Sequence, residues 1–154
     1  MNKAIYTTAI GILGLTLGLY AADVRLGTWQ LNLKKSKVSG PAIKSQTDIR
    51  EALPDGRVQI TRTRELADGK IEKYSFSYKY DGREYPVKGA PFDMISVKRI
   101  DNNTTRFETT RKNSKATSIG TTVVSADRMT LTQTSKAVDA AGKMTESTLV
   151  FDRK

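Results

Sequence analysis

The chain has 154 residues, with 26 Lys and Arg against 16 Asp and Glu, a net charge of +10, and neither histidine nor cysteine. The two absences remove every Ser-His-Asp and Cys-His nucleophile, the usual zinc sites, thiol redox chemistry and disulfides. Stability must come from packing and backbone pairing, and any acid–base work would fall to Asp and Glu.

The first 22 residues read as an export signal. Lys3 supplies a short basic start, residues 4–22 (AIYTTAIGILGLTLGLYAA) carry no charge, and Asp23 opens a stretch of mixed charge. A basic, then apolar, then small-residue order describes a secretory signal peptide, an N-terminal signal helix cleaved near Ala22. An uncleaved anchor is the alternative, since about 17–25 apolar residues can span a bilayer. The Thr, Tyr and Gly residues within the run weigh against a permanent span. No cysteine follows that could carry a lipid. The expected location is periplasmic or extracellular, and residues 23–154 have the length of one domain.

Helical periodicity is hard to find after Asp23, whereas period-two alternation recurs. Trp29, Leu31 and Leu33 alternate with Gln30 and Asn32; Val58 and Ile60 with Gln59 and Thr61; Tyr74, Phe76, Tyr78 and Tyr80 with Ser75, Ser77 and Lys79. Ile119, Thr121 and Val123 share one parity, Met129 and Leu131 another, and Leu149 and Phe151 close the series. Turn pairs punctuate these runs at Asp55-Gly56, Asp68-Gly69, Asp81-Gly82, Asn102-Asn103, Asn113-Ser114 and Ala141-Gly142. The spacing predicts strands over 27–33, 44–52, 57–66, 70–80, 83–88, 93–101, 104–112, 116–124, 128–137 and 144–153. Residues 34–43 form the one longer connection, and Pro86 and Pro91 mark the fifth strand as an edge or bend. The fold class is all-β: an antiparallel up-and-down β-barrel of about 8–10 strands, which disposes of its edges by closing. A two-sheet β-sandwich is the alternative.

Gly27-Thr28-Trp29-Gln30-Leu31 opens this region as a Gly-x-Trp first strand followed by a meander. In this the chain resembles the calycins, that is, lipocalins and the intracellular fatty-acid-binding proteins. Tyr80-Asp81-Gly82-Arg83-Glu84-Tyr85-Pro86-Val87 and the stretch Gly27 to Ser36 look more closely like small exported bacterial lipocalin-like proteins. The resemblance implies a structural role for Gly27, for Trp29 as the plug of one barrel end, and for Arg153 packing across its indole. Two departures matter. No helical pair is expected between the first two strands, and Phe151-Asp152-Arg153 stands where an Arg-x-Tyr would be, so a fatty-acid carboxylate site is not carried over.

No phosphate-binding loop, dinucleotide fingerprint, nucleophile elbow or EF-hand loop occurs. Asp101-Asn102-Asn103 reads as a turn, and no metal, cofactor or enzymatic role is expected. The densest basic run, Lys34-Lys35-Ser36-Lys37, is short, and the other cations alternate with Thr, Ser or apolar residues, as on outward strand faces. Nucleic acid is therefore not an expected partner; weak contact with an anionic envelope surface is.

Parity supplies the candidate site. If Val58 and Ile60 face inward, so do Arg62 and Arg64; if Phe107 does, so do Thr109 and Arg111. With Tyr74, Phe76 and Tyr78 also inward, the lumen would combine aromatic walls with guanidiniums, a setting for a small amphipathic anion. The expected function is thus a monomeric, exported lipocalin-like carrier of such a ligand. A filled barrel acting as a binding module through its basic surface is the alternative, because small barrels can be packed by their own side chains.

Overall fold

Ten antiparallel strands follow one another in the computed structural model, which describes residues 23–154. They are β1 (Gly27–Leu31), β2 (Ile43–Ala52), β3 (Val58–Leu66), β4 (Ile71–Tyr78), β5 (Asp81–Pro86), β6 (Met94–Arg99), β7 (Thr104–Thr110), β8 (Thr117–Val124), β9 (Thr130–Val138) and β10 (Met144–Arg153). The signal segment over residues 1–22, with its expected helix, lies outside the described residues.

Each strand pairs with the next in sequence except at one place, and β1 pairs with β10. The result is an up-and-down barrel closed everywhere but between β4 and β5, which rules out the sandwich. Asp side chains set many of the turns. Asp55, Asp68, Asp101, Asp127 and Asp139 each accept a hydrogen bond from the main-chain N–H two residues on, replacing a strand bond with a local one.

The expected Asp81-Gly82 hairpin turn is a correction. Asp81 already pairs with Lys98 inside β5, and the chain bends earlier, around Lys79-Tyr80. The Tyr80 ring lies beneath the guanidiniums of Arg99 and Arg25, 4.7 and 5.3 Å from its centroid. Its carbonyl accepts from Arg99 N–H at 3.3 Å. These contacts direct the chain toward β6, so β4 and β5 part instead of pairing. Residues 34–43 also hold more order than a plain loop. Leu33–Lys35 form one 3-10 turn capped by the Asn32 side chain, and Lys37 bridges to Thr148 on β10.

The apolar side chains that alternation turns inward gather in two clusters. Trp29, Leu31, Val124, Leu131, Leu149 and Phe151 fill the region around β1 and β10. The other cluster gathers Val58, Ile60, Tyr74, Phe76, Tyr78, Val87, Ile95 and Val97 behind the β4–β5 gap. Burying each such side chain stabilises the barrel by about 1.5–3 kcal/mol.

One end is sealed. Arg153 lies 4.2 Å over the Trp29 ring and donates to the carbonyls of Val24, Leu26 and Arg128, each at 2.6 Å. Trp29 Nε1 donates to the Arg25 carbonyl at 2.8 Å. Gly27 permits this approach, because a Cβ there would stand 2.8 Å from Arg153 Nη1.

The barrel lumen as a candidate ligand site

Three neighbouring strands build a polar row across the inside of the barrel. The β2–β3 register sets Asp48 opposite Arg62 and Gln46 opposite Arg64, and the β3–β4 register continues these rows to Tyr74 and Glu72. Alternation turns Gln46, Asp48 and Arg50 inward together while Ile49 faces out. Asp48 is fully buried and receives Arg62 as a fork, Nε at 2.8 Å and Nη2 at 2.7 Å. Gln46 Nε2 donates to the same carboxylate at 3.0 Å, and Arg50 Nη2 stands 3.6 Å from it.

Two guanidiniums thus share one carboxylate. Burial would raise the Asp48 pKa, but the Arg62 charge and hydrogen bonds, with Arg50 and Gln46, outweigh it and hold the group below its ordinary value. Burial likewise disfavours charged Arg62, and the Asp48 charge reverses that and raises its pKa. Arg64 is less well compensated. Nε donates to Gln46 Oε1 at 2.8 Å, but its nearest carboxylate, on Glu72, is 3.9 Å away and also holds Lys70 at 3.2 Å. Burial and the neighbouring Arg62 charge lower the Arg64 pKa, only partly countered by Tyr74, Glu72 and Asp48.

Two cavities adjoin this row. The outer one, about 420 Å³, lies at the end opposite Trp29 and is bordered by Arg64, Tyr74, Phe92, Phe107, Arg111 and the 38–43 segment. The inner one, about 60 Å³, is lined by Arg50, Ile60, Phe76, Tyr78, Thr105 and Thr122, among others. Arg62, Phe92, Phe107, Thr109 and Gln133 border both, so the chambers meet at these residues.

The structure therefore distributes the sequence-derived site residues unequally. Arg64, Tyr74 and Phe107 border the outer chamber, and Phe76 and Tyr78 the inner one. Arg111 is exposed and stands at the mouth. Arg62 borders both chambers, but as a free anchor it needs correction, because Asp48 occupies its fork.

Several lumen residues escaped the sequence reading. Asp48 and Arg50 sit in a strand whose only strongly apolar central residue, Ile49, points outward. The register implied by Asp55-Gly56 could have placed Asp48 against Arg62. Phe92 comes from the β5–β6 loop and meets the Tyr74 and Phe76 rings edge-on at 6.2 and 5.4 Å. Gly120 is the counterpart of Phe107; a Cβ there would come within 2.7 Å of that ring and 2.1 Å of the Thr134 carbonyl oxygen. Among the described residues no group of three His, Cys, Asp or Glu side chains is placed to hold a metal ion.

No family model and no curated protein sequence matches the chain. Solved structures do. Wild-type fluorescent protein UnaG superposes with a TM-score of 0.58 at 11% identity, over 84% of this chain and 97% of that one. A Schistosoma mansoni fatty acid binding protein in complex with arachidonic acid gives 0.56 at 16% identity, over 85% and 96%. The zebrafish ileal bile acid-binding protein complexed with cholic acid gives 0.53 at 14%, over 85% and 99%. At these identities the likeness is one of architecture, and it establishes that the chain shares the up-and-down antiparallel β-barrel fold of these structures.

Proposed function

We propose that this protein is a non-enzymatic carrier that takes a small amphipathic anion into the barrel. The observation that carries the reading is the outer chamber, of a size typical for small-molecule sites and walled by Tyr74, Phe92 and Phe107. Arg64 borders it with its charge only partly balanced, and Arg111 stands at the mouth. An apolar body would lie on the rings and an anionic head would complete the coordination of Arg64. Barrels of this fold solved in complex with arachidonic acid and with cholic acid support a ligand-binding reading. The leader-like residues 4–22 support export, to a periplasm or the medium, and the chain acts as a monomer.

The alternative reading, a module contacting anionic polymers through its basic exterior, makes the opposite demand on salt. Exposed ionic contacts are screened over about 8–10 Å near physiological ionic strength, whereas a ligand enclosed on aromatic walls is screened much less. The test is displacement of a fluorescent anionic amphiphile by dodecanoate, with and without added salt, in the wild type and in Arg64→Met. Binding that persists in salt and weakens about tenfold in R64M, the worth of one charge-assisted hydrogen bond, is the expected result. Binding that vanishes in salt and ignores the substitution would transfer the function to the outer surface.

A further inference from the structure

We infer that the ligand is two-ended, with an acidic or strongly hydrogen-bond-accepting group at each terminus, and that its far end sits at Arg50 in the inner chamber. The inference rests on the carrier reading above and narrows it to a class of molecule.

The inner chamber is an unusual place for a simple hydrocarbon tail. Arg50 is only 5% exposed, and its Nε has no hydrogen-bond partner among the described residues. Its one ionic contact is the 3.6 Å approach to an Asp48 carboxylate that Arg62 already grips at 2.7 and 2.8 Å. Around Asp48, Arg50 and Arg62 the formal charges leave one positive charge without a counterpart, deep in the barrel. Unpaired buried charges are strongly disfavoured. A single additional carboxylate in the inner chamber, which the Arg50 side chain borders, makes the charges even. A bound water would leave the charge uncompensated.

The chamber fits such a group. Its volume of about 60 Å³ is too small for a ring system and large enough for a carboxylate or hydroxyl. Thr105 and Thr122, 3% and 5% exposed, add two hydroxyls to its wall. The apolar remainder comes from Ile60, Phe76, Ile95 and Val97.

The outer chamber supplies the other end. Arg50 pairs with Ile60, four residues along β3 from Arg64, so the two backbone positions stand about 13 Å apart at the rise of a strand. Phe92 and Phe107 occupy the middle of that path, bordering both cavities. The lumen therefore presents cation, aromatic rings and cation in sequence. A medium-chain α,ω-dicarboxylate, or its ω-hydroxy acid, matches that order. A monocarboxylate satisfies only one end.

Isothermal titration of the purified protein with dodecanedioate and with dodecanoate tests the inference. The expected result is one site per barrel, with the diacid at least tenfold tighter, and loss of that preference in Arg50→Met. Should R50M fail to fold, Thr122→Val serves, with a smaller loss of preference expected. Equal or tighter binding of dodecanoate by the wild type would overturn the two-ended ligand. A diacid preference that survives both substitutions would overturn its placement at Arg50. Binding of neither acid would instead bring down the carrier reading itself.

Discussion

At the sealed end of the barrel Arg153 donates to three main-chain carbonyls and lies over the Trp29 ring, with no carboxylate among its partners in the described residues. In the lumen Arg50, Arg62 and Arg64 meet two carboxylates, one of them deeply buried, and Arg50 keeps a donor without a partner. The same side chain thus does two jobs. Against carbonyls and an indole it is a clamp whose surroundings are complete. Against too few carboxylates it leaves a positive field inside a cavity, and that incompleteness is what a ligand can use.

Substitutions can break or sharpen this contrast. The largest effect is expected for Trp29→Ala, which removes a fully buried indole and the surface beneath Arg153, at about 3–5 kcal/mol in denaturant unfolding. If the two ends are independent, the fraction that remains folded still binds its ligand with wild-type affinity.

Next comes Asp48→Asn, with a loss of about 3 kcal/mol, since it strands two buried guanidiniums. It also carries a pH signature. Asp48 titrates lower in the folded barrel than in the unfolded chain, where an aspartate has a pKa of about 3.9. Its contribution is therefore complete above that value and is lost as the pH falls through the folded value. Stability of D48N, followed by circular dichroism below about pH 4, should fall less steeply than that of the wild type. An unchanged acid limb would remove Asp48 from the centre of the lumen network.

The smallest effect is expected for Arg153→Lys. Lysine keeps the charge but cannot serve three separated carbonyls and the indole face together, so a loss of about 1–2 kcal/mol follows from the weakened hydrogen bonds. If R153K unfolds like the wild type, the clamp at the sealed end is not the fork and stack seen here.

Much of the architecture could be read in advance because the strands alternate and the turns carry Asp, Gly and Asn. Predicted and observed strand limits differ by at most two residues, and those of β10 not at all. The β4–β5 separation was hidden for a physical reason. Asp81-Gly82 has hairpin chemistry, but the packing of Tyr80 against Arg25 and Arg99 depends on residues far apart in the chain. The site was half legible. Parity alone brought Arg62, Arg64 and the tyrosine stripe inward. It could not say that Asp48 would occupy Arg62, because that is fixed by register between strands rather than by alternation within one. Nor could it find Phe92, which enters the lumen from a loop that has no alternation to read.

The placement of Trp29 has a practical corollary. It is the sole tryptophan of the chain, fully buried at the end remote from the mouth. Its emission is accordingly a gauge of the barrel's closure that ligand entering past Arg111 and Phe92 would leave undisturbed. Tyrosines 74 and 78, which border the two chambers, lie where an occupant would be sensed. Excitation at the red edge, where only the indole absorbs, therefore reads folding alone, apart from any change that an occupant causes at the tyrosines.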